Sequence, residues 1–157
     1  MLPTINFEND FHLVFSLAHE KGQIDLTDLN YATKKFDSMA AYRQSKLANV
    51  LFSLKLSQML EKDEVTVYSL HPGVVRTELG RHLPKLLLYI LGPLLWPFTK
   101  NPVQGAQTSI YCSVAEEISG HSGRYYSDCK EKPAAPQGQD EETADKLWEL
   151  SAKLVDL

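Results

Sequence analysis

Tyr42 and Lys46 stand four residues apart in the run Ala41-Tyr42-Arg43-Gln44-Ser45-Lys46-Leu47. On a helix that spacing puts both side chains on one face, a turn apart. A phenol, with an ordinary pKa of about 10, is a poor base at neutral pH until a neighbouring cation stabilises the phenolate. An ammonium one turn away can do this and still hydrogen-bond a ribose. The spacing alone is common on amphipathic surface helices; the company it keeps gives it weight. Ser16 lies upstream, where its hydroxyl could polarise a substrate carbonyl, and His71-Pro72-Gly73 lies downstream, each at the end of an apolar run.

The elements that must position these residues can be read from periodicity. His12 to Ser16 has the composition of a short buried strand, and residues 1 to 10 read as an irregular N-terminus. A polar excursion follows, ending near Asp37. From Ser38 to Lys62 the period turns helical, with Leu47, Val50, Leu51 and Leu54 on one face and Asp37 or Ser38 as N-cap. Val65 to Leu70 is rich in β-branched and aromatic residues and stops at His71-Pro72-Gly73. Strand, helix and strand in this order predict a parallel βαβ unit. Ligands of open α/β sheets gather beyond the carboxyl ends of the strands, where both Ser16 and the Pro72-Gly73 turn fall.

Farther on, Asn101-Pro102 opens a second helix, predicted to turn Val103, Ala106, Ile110 and Val114 inward. Gly123 to Ser127 is a third strand candidate, and residues 132 to 138 read as a linker. Asp140 then caps a last helix whose stripe of Ala144, Leu147, Trp148, Ser151 and Leu154 is predicted to dock on the sheet. The fold class is therefore α/β, the C-terminal half of a doubly wound parallel-sheet (Rossmann) domain spanning residues 1 to 157. The eight glycines nowhere form the Gly-x-Gly-x-x-Gly turn of the first, cofactor-binding half.

A net charge of −4 leaves no basic surplus for a phosphate backbone, so nucleic acid is not an expected partner. The two cysteines, Cys112 and Cys129, are too few and too far apart for a zinc site or a disulfide scaffold, and reduced thiols are expected. His19, His71, His82 and His121 lack metal-ligand spacing, and no metal is predicted. The first ten residues carry no signal peptide, which predicts a protein that is not secreted. The most apolar window, residues 83 to 98, is broken by Gly92-Pro93 and is shorter than the ~20 residues of a bilayer span. A hydrolase built on Ser16 or Cys129 is disfavoured, since no Gly-x-Ser-x-Gly elbow is present.

Ser16-Leu17-Ala18-His19, the stretch from Ala41 to Phe52 and His71-Pro72-Gly73-Val74-Val75-Arg76-Thr77-Glu78-Leu79 together resemble the short-chain dehydrogenase/reductases, in their retinol dehydrogenase branch. Gly105-Ala106-Gln107-Thr108-Ser109, Ser122-Gly123-Arg124-Tyr125, Ser127-Asp128-Cys129 and Leu147-Trp148 continue the resemblance in order. It implies an oxidoreductase interconverting an alcohol and an aldehyde or ketone, with NADP as cofactor and NAD not excluded. By the same resemblance Tyr42 is the proton donor or acceptor, Lys46 its activator and ribose ligand, and Ser16 the orienting hydroxyl. Pro72, Gly73, the Val75 backbone and Thr77 would then contact the nicotinamide carboxamide or the adjacent phosphates. Residues 83 to 98 would form a lid for a hydrophobic substrate, a retinoid or lipid aldehyde. The resemblance further implies a homodimer through Ser38 to Lys62 and Asn101 to Glu117. It places the protein in the cytoplasm or in peripheral contact with a membrane, of the endoplasmic reticulum or mitochondrion in relatives. The glycine-rich turn and the family's relay asparagine have no counterpart. That departure supports an alternative: a non-catalytic truncated isoform or incomplete gene model unable to hold a dinucleotide.

Overall fold

The computed structural model describes residues 10–14, 16–63, 65–76 and 99–156. Its elements run β1 (Asp10–Val14), α1 (Ser38–Met59), β2 (Thr66–His71), α2 (Pro102–Val114), β3 (Tyr125–Ser127), β4 (Lys130–Lys132) and α3 (Glu141–Leu154). The strands form one sheet in the order β1-β2-β3-β4, with the first three parallel and β4 antiparallel to β3.

Local chemistry explains most boundaries. The Asp37 carboxylate accepts the N–H groups of Met39 and Ala40 and so starts α1. Leu47, Val50 and Leu51 fall on its buried side. The helix ends at Met59, three residues short of the Lys62 expected from periodicity, and Glu61–Asp63 continues as a 3-10 turn. Asn101 caps α2 through a reciprocal bond pair with Gln104, with Pro102 in the first turn.

β2 is buried on both faces, as a strand between helical layers must be. Tyr68 and Leu70 pack with Cys112 of α2, Ile118 and Tyr126. On the other side of the sheet α1 packs against β2. Its Leu47 and Leu51 form a second cluster with Ala144 and Leu147 of α3. Helices thus cover both faces of the parallel strands, the doubly wound arrangement expected.

Four expectations need correction. β1 runs Asp10–Val14, so Asp10 leaves the irregular N-terminus and Ser16 lies past the strand, capping the 3-10 helix Leu17–Lys21. The inner face of α2 is Gly105, Thr108 and Cys112, while Val103, Ala106, Ile110 and Val114 are exposed. Small residues face inward because the backbone of α2 approaches Val75 closely: a Cβ on Gly105 would lie 2.5 Å from a Val75 methyl carbon. Residues 132 to 138 are no simple linker. Lys132 ends β4, which pairs with β3 through a turn at Asp128 and Cys129, both at φ 55°, and Pro136–Gln139 is a 3-10 helix. Finally, α3 docks on α1 rather than on the sheet, with Phe52 stacked on Trp148 at 5.0 Å between ring centroids and Leu154 left 62% exposed.

Candidate active site at the carboxyl edge of the sheet

Three parallel strands in register define the edge where chemistry is expected. Val14 pairs with Leu70, Leu70 with Tyr126 and His71 with Ser127. Ser16, the Pro72-Gly73 loop and Asp128 therefore all follow the carboxyl ends of neighbouring strands. α1 is oriented by its far end: a Cβ on Gly123, just before β3, would lie 2.7 Å from the Ser57 hydroxyl. Ser57 thus sits at the amino ends of the strands. The opposite end of α1, carrying Tyr42 and Lys46, lies toward the carboxyl edge.

The Ser16 hydroxyl is held by the geometry of a helix cap. Its Oγ accepts the Ala18 N–H at 3.3 Å. Because that contact uses an acceptor lone pair, the hydroxyl proton remains available to donate to a carbonyl oxygen. The 3-10 helix that follows lies against α1. A Cβ on Gly22, at its end, would come within 2.7 Å of the Arg43 carbonyl and 2.8 Å of the Leu47 Cβ, so only glycine permits this approach.

Tyr42 is 42% exposed, and the Lys46 ammonium stands 5.6 Å from the centroid of its ring. Both predicted side chains thus occupy one face of α1. Apart from this ring contact, Lys46 has no hydrogen-bond or ion-pair partner among the described residues, so its donors are available for a hydroxylated ligand.

The loop after β2 is braced from beneath. Val75 forms a parallel bridge with Lys100, in which Lys100 N–H donates to the Val74 carbonyl at 2.8 Å and Arg76 N–H to the Lys100 carbonyl at 3.0 Å. The alternation of such a bridge turns Val75's own N–H and C=O the other way. Neither has a hydrogen-bond partner among the described residues. Gly73 adopts φ +94°, a conformation costly for any residue with a Cβ, and lies against the Lys100 side chain. The Lys100 ammonium in turn bonds Asp128 Oδ1 at 2.6 Å, with Lys132 at 3.2 Å from the other oxygen. These two cations, Lys100 first, hold the Asp128 carboxyl down at about 2.

Ser16, Tyr42, Lys46, Pro72, Gly73 and Val75 are thus gathered at one edge, while Thr77 and residues 83 to 98 lie outside the described residues, as do Phe15 and His82. Sequence reasoning missed two supports. One is the Lys100–Asp128 pair, which no motif announces because its members are 28 residues apart. The other is His19, 1% exposed and hydrogen-bonded through both ring nitrogens. Behind the site, Tyr125 is buried against His19, and burial, followed by Glu20 and Asp128, pushes its phenol up to about 12. It stays neutral and serves as packing. Cys112 is buried and Cys129 half-buried. No group of three His, Cys, Asp or Glu side chains among the described residues is arranged to hold a metal ion. No helix among them is long and apolar enough to cross a membrane.

The donors at this edge suit the nicotinamide and ribose end of a dinucleotide: an unpaired ammonium, an outward backbone N–H and C=O at Val75, and a hydroxyl with its proton free. The phosphate-cradling glycine turn has no counterpart in the sequence. Fold and site together define a parallel α/β sheet whose carboxyl edge gathers these polar groups.

Comparison with known proteins carries the assignment further. The chain is 50% identical to human retinol dehydrogenase 13 over 146 residues, which are 90% of this chain and 44% of that protein. It is 45% identical to human retinol dehydrogenase 14 over 147 residues, 92% of this chain and 44% of the relative. With a bovine dehydrogenase/reductase, SDR family member 13, it shares 42% identity over 92% of its length and 39% of the relative's. Among solved structures, an uncharacterized protein from Mycobacterium paratuberculosis superposes with a TM-score of 0.71 at 24% identity, covering 94% of this chain and 51% of that one, which speaks to the fold alone. No family model matches the chain. Over the length it shares with these relatives, the chain is similar to retinol dehydrogenases and to a dehydrogenase/reductase of the SDR family. It spans less than half the length of the curated relatives it matches.

Proposed function

We propose that this site serves an NADP-dependent oxidoreductase of the retinol dehydrogenase type, interconverting an alcohol and an aldehyde or ketone on a hydrophobic substrate such as a retinoid or lipid aldehyde. The observation that carries the reading is the meeting of Ser16, the Tyr42–Lys46 face and the Val75 backbone at one sheet edge. The dinucleotide, when bound, supplies or accepts hydride. Lys46 would grip the ribose and stabilise charge on the Tyr42 oxygen, and Tyr42 would move a proton to or from the reacting oxygen. Ser16 would donate its free proton to that same oxygen and orient it. Val75, with Pro72 and Gly73 beside it and Thr77 beyond, would hold the nicotinamide carboxamide. NADP rather than NAD, and the retinoid class of substrate, rest on the resemblance.

The decisive experiment measures NADPH-dependent reduction of a retinoid aldehyde by the chain and by Tyr42→Phe. Turnover should fall by about 10²- to 10⁴-fold in the variant. Equal turnover in both would overturn the assignment of Tyr42. A second reading is that the given residues do not hold a dinucleotide on their own. Micromolar quenching of Trp and Tyr fluorescence by NADPH would argue against it, and no quenching at millimolar NADPH would favour it.

Association with a second copy through α1 and α2 belongs to the same proposal. Val103, Ile110 and Val114, spaced seven and four apart on the outer face of α2, supply an apolar stripe for it. Peripheral contact with a membrane is proposed on the resemblance alone. Elution at monomer mass across a hundredfold concentration range would remove the dimer.

A further inference from the structure

We propose that His19 is the positioning residue of the Ser16 hydroxyl, acting through a neutral imidazole whose Nδ1 carries the proton. The inference rests on the role given to Ser16 above and extends it to a residue that touches neither substrate nor cofactor. The ring nitrogen Nδ1 lies 2.9 Å from the Ser16 carbonyl oxygen, which can only accept, so Nδ1 must donate. The Ala135 N–H points at Nε2 from 3.4 Å, and since an N–H can only donate, Nε2 must present its lone pair. Only the neutral Nδ1–H tautomer satisfies both bonds. The same Ser16 carbonyl also accepts the backbone N–H of His19 at 3.1 Å.

Ser16 is therefore fastened at its carbonyl by His19 twice and at its Oγ by Ala18 N–H. Its position is referred across 116 residues to the segment after β4. That segment is fixed in turn. Gln137 Nε2 donates to the carbonyls of His19 at 3.3 Å and Glu20 at 2.7 Å. Gly138 is buried close against Val50 and Leu47 of α1, the helix that carries Tyr42. The imidazole, packed on the Tyr125 ring at 5.1 Å, thus links the serine to the layer that carries the tyrosine and keeps the two oxygens in fixed relation. A misplacement of about 1 Å is enough to cost on the order of 10²-fold in rate. Placement of this kind is what the bond from Nδ1 maintains.

Two substitutions separate the two nitrogens. In His19→Asn the side-chain amide reaches the Nδ1 position and can donate to Ser16; in His19→Gln it reaches the Nε2 position and leaves the Ser16 carbonyl without its side-chain donor. The first readout is hydrogen exchange at the Ala18 amide, whose partner is the Ser16 Oγ. It should quicken by about tenfold or more in His19→Gln and return near the parent rate in His19→Asn, while amides in the middle of α1 hold their rates. The second is turnover of a retinoid aldehyde with NADPH. Here kcat should fall by about 10²-fold in His19→Gln with KM for NADPH unmoved, and recover in His19→Asn. An Ala18 amide equally protected in all three proteins would overturn the proposal.

Should the variants fail to fold, the parent chain still decides. Long-range proton–nitrogen correlation of its histidines should show His19 protonated at Nδ1, and the Nε2–H form or a charged ring would sink the idea. The underlying reading is tested apart, by Ser16→Ala. Undiminished turnover there would remove the role of Ser16 in the reaction and leave the Ala18 exchange result standing.

Discussion

The two walls of the site are held by different physics. On the β1 side, Ser16 is fixed by neutral hydrogen bonds and by the close seating of Gly22 on α1. On the β2 side, the Gly73 loop rests on a lysine whose ammonium is paired with Asp128 at a half-exposed site. A buried hydrogen bond without its partner is costly, whereas an exposed ion pair contributes little and is screened by salt. The serine wall is therefore rigid and coupled to the core, and the loop wall is adjustable and responsive to pH.

The contrast is broken most severely by removing what stands behind the serine wall. Leu51 is fully buried between α1 and α3, so Leu51→Ala should destabilise the fold by about 2–5 kcal/mol, read from the urea midpoint. A loss under 1 kcal/mol would mean that the α1–α3 layer is not a packed core. Next comes Gly22→Ala. The new methyl meets a backbone carbonyl and a Cβ, neither of which can swing aside, and a cost of about 1–3 kcal/mol is expected. Gly73→Ala should cost less, about 1–2 kcal/mol, because its clash is with a flexible Lys100 side chain and the remaining strain is that of φ +94°. Finding Gly73→Ala the more damaging of the two would invert the comparison.

The smallest effect is the most diagnostic. Asp128 titrates at about 2 in the fold against an ordinary carboxylate value near ~3.9, its depression caused chiefly by Lys100. A depressed carboxyl contributes stability that is present above the unfolded value and lost as pH falls through the folded one, here between about 4 and 2. With the Asp128 side chain 56% exposed, the pair should contribute well under ~1 kcal/mol. Asp128→Asn should flatten the stability profile in that window and leave it unchanged at pH 7 within ~1 kcal/mol. Asp28 depends on the same range, its carboxyl held at about 2 first by the Thr33 hydroxyl and then by the N–H groups of Thr33, Lys34 and Ala32, so acid should loosen the 28–34 loop as well. Unchanged amide exchange at Thr33 and Lys34 between pH 5 and 2.5 would count against that.

Sequence reasoning found the elements whose signals are local. The N-caps Asp37, Asn101 and Asp140 carry side chains that bond their own helices, and the spacing of Leu47, Val50 and Leu51 is set by the period of one helix. It went astray where the cause was distant. The inner side of α2 was misassigned because periodicity follows apolar residues, while contact with Val75 demands a residue without a Cβ, Gly105. β4 escaped notice because Lys-Glu-Lys has no strand composition; it pairs only because the turn at Asp128 and Cys129 folds it back. Tyr42 and Lys46 were legible as a pair from spacing. Ser16 is expected at the same edge from the order of strand, helix and strand, but the His19 ring that holds it was not legible, because the ring's other partner, Ala135, lies 116 residues away.

The sheet ends in two unlike margins. β4 closes one with three exposed charged side chains, a composition that repels a further strand. β1 bounds the other, and among the described residues nothing pairs with its outer side. Among the described residues growth of this ribbon is thereby directional: β1 is the margin that additional backbone could join and β4 the one that resists it, so complementation by a separate peptide is expected beside Asp10–Val14.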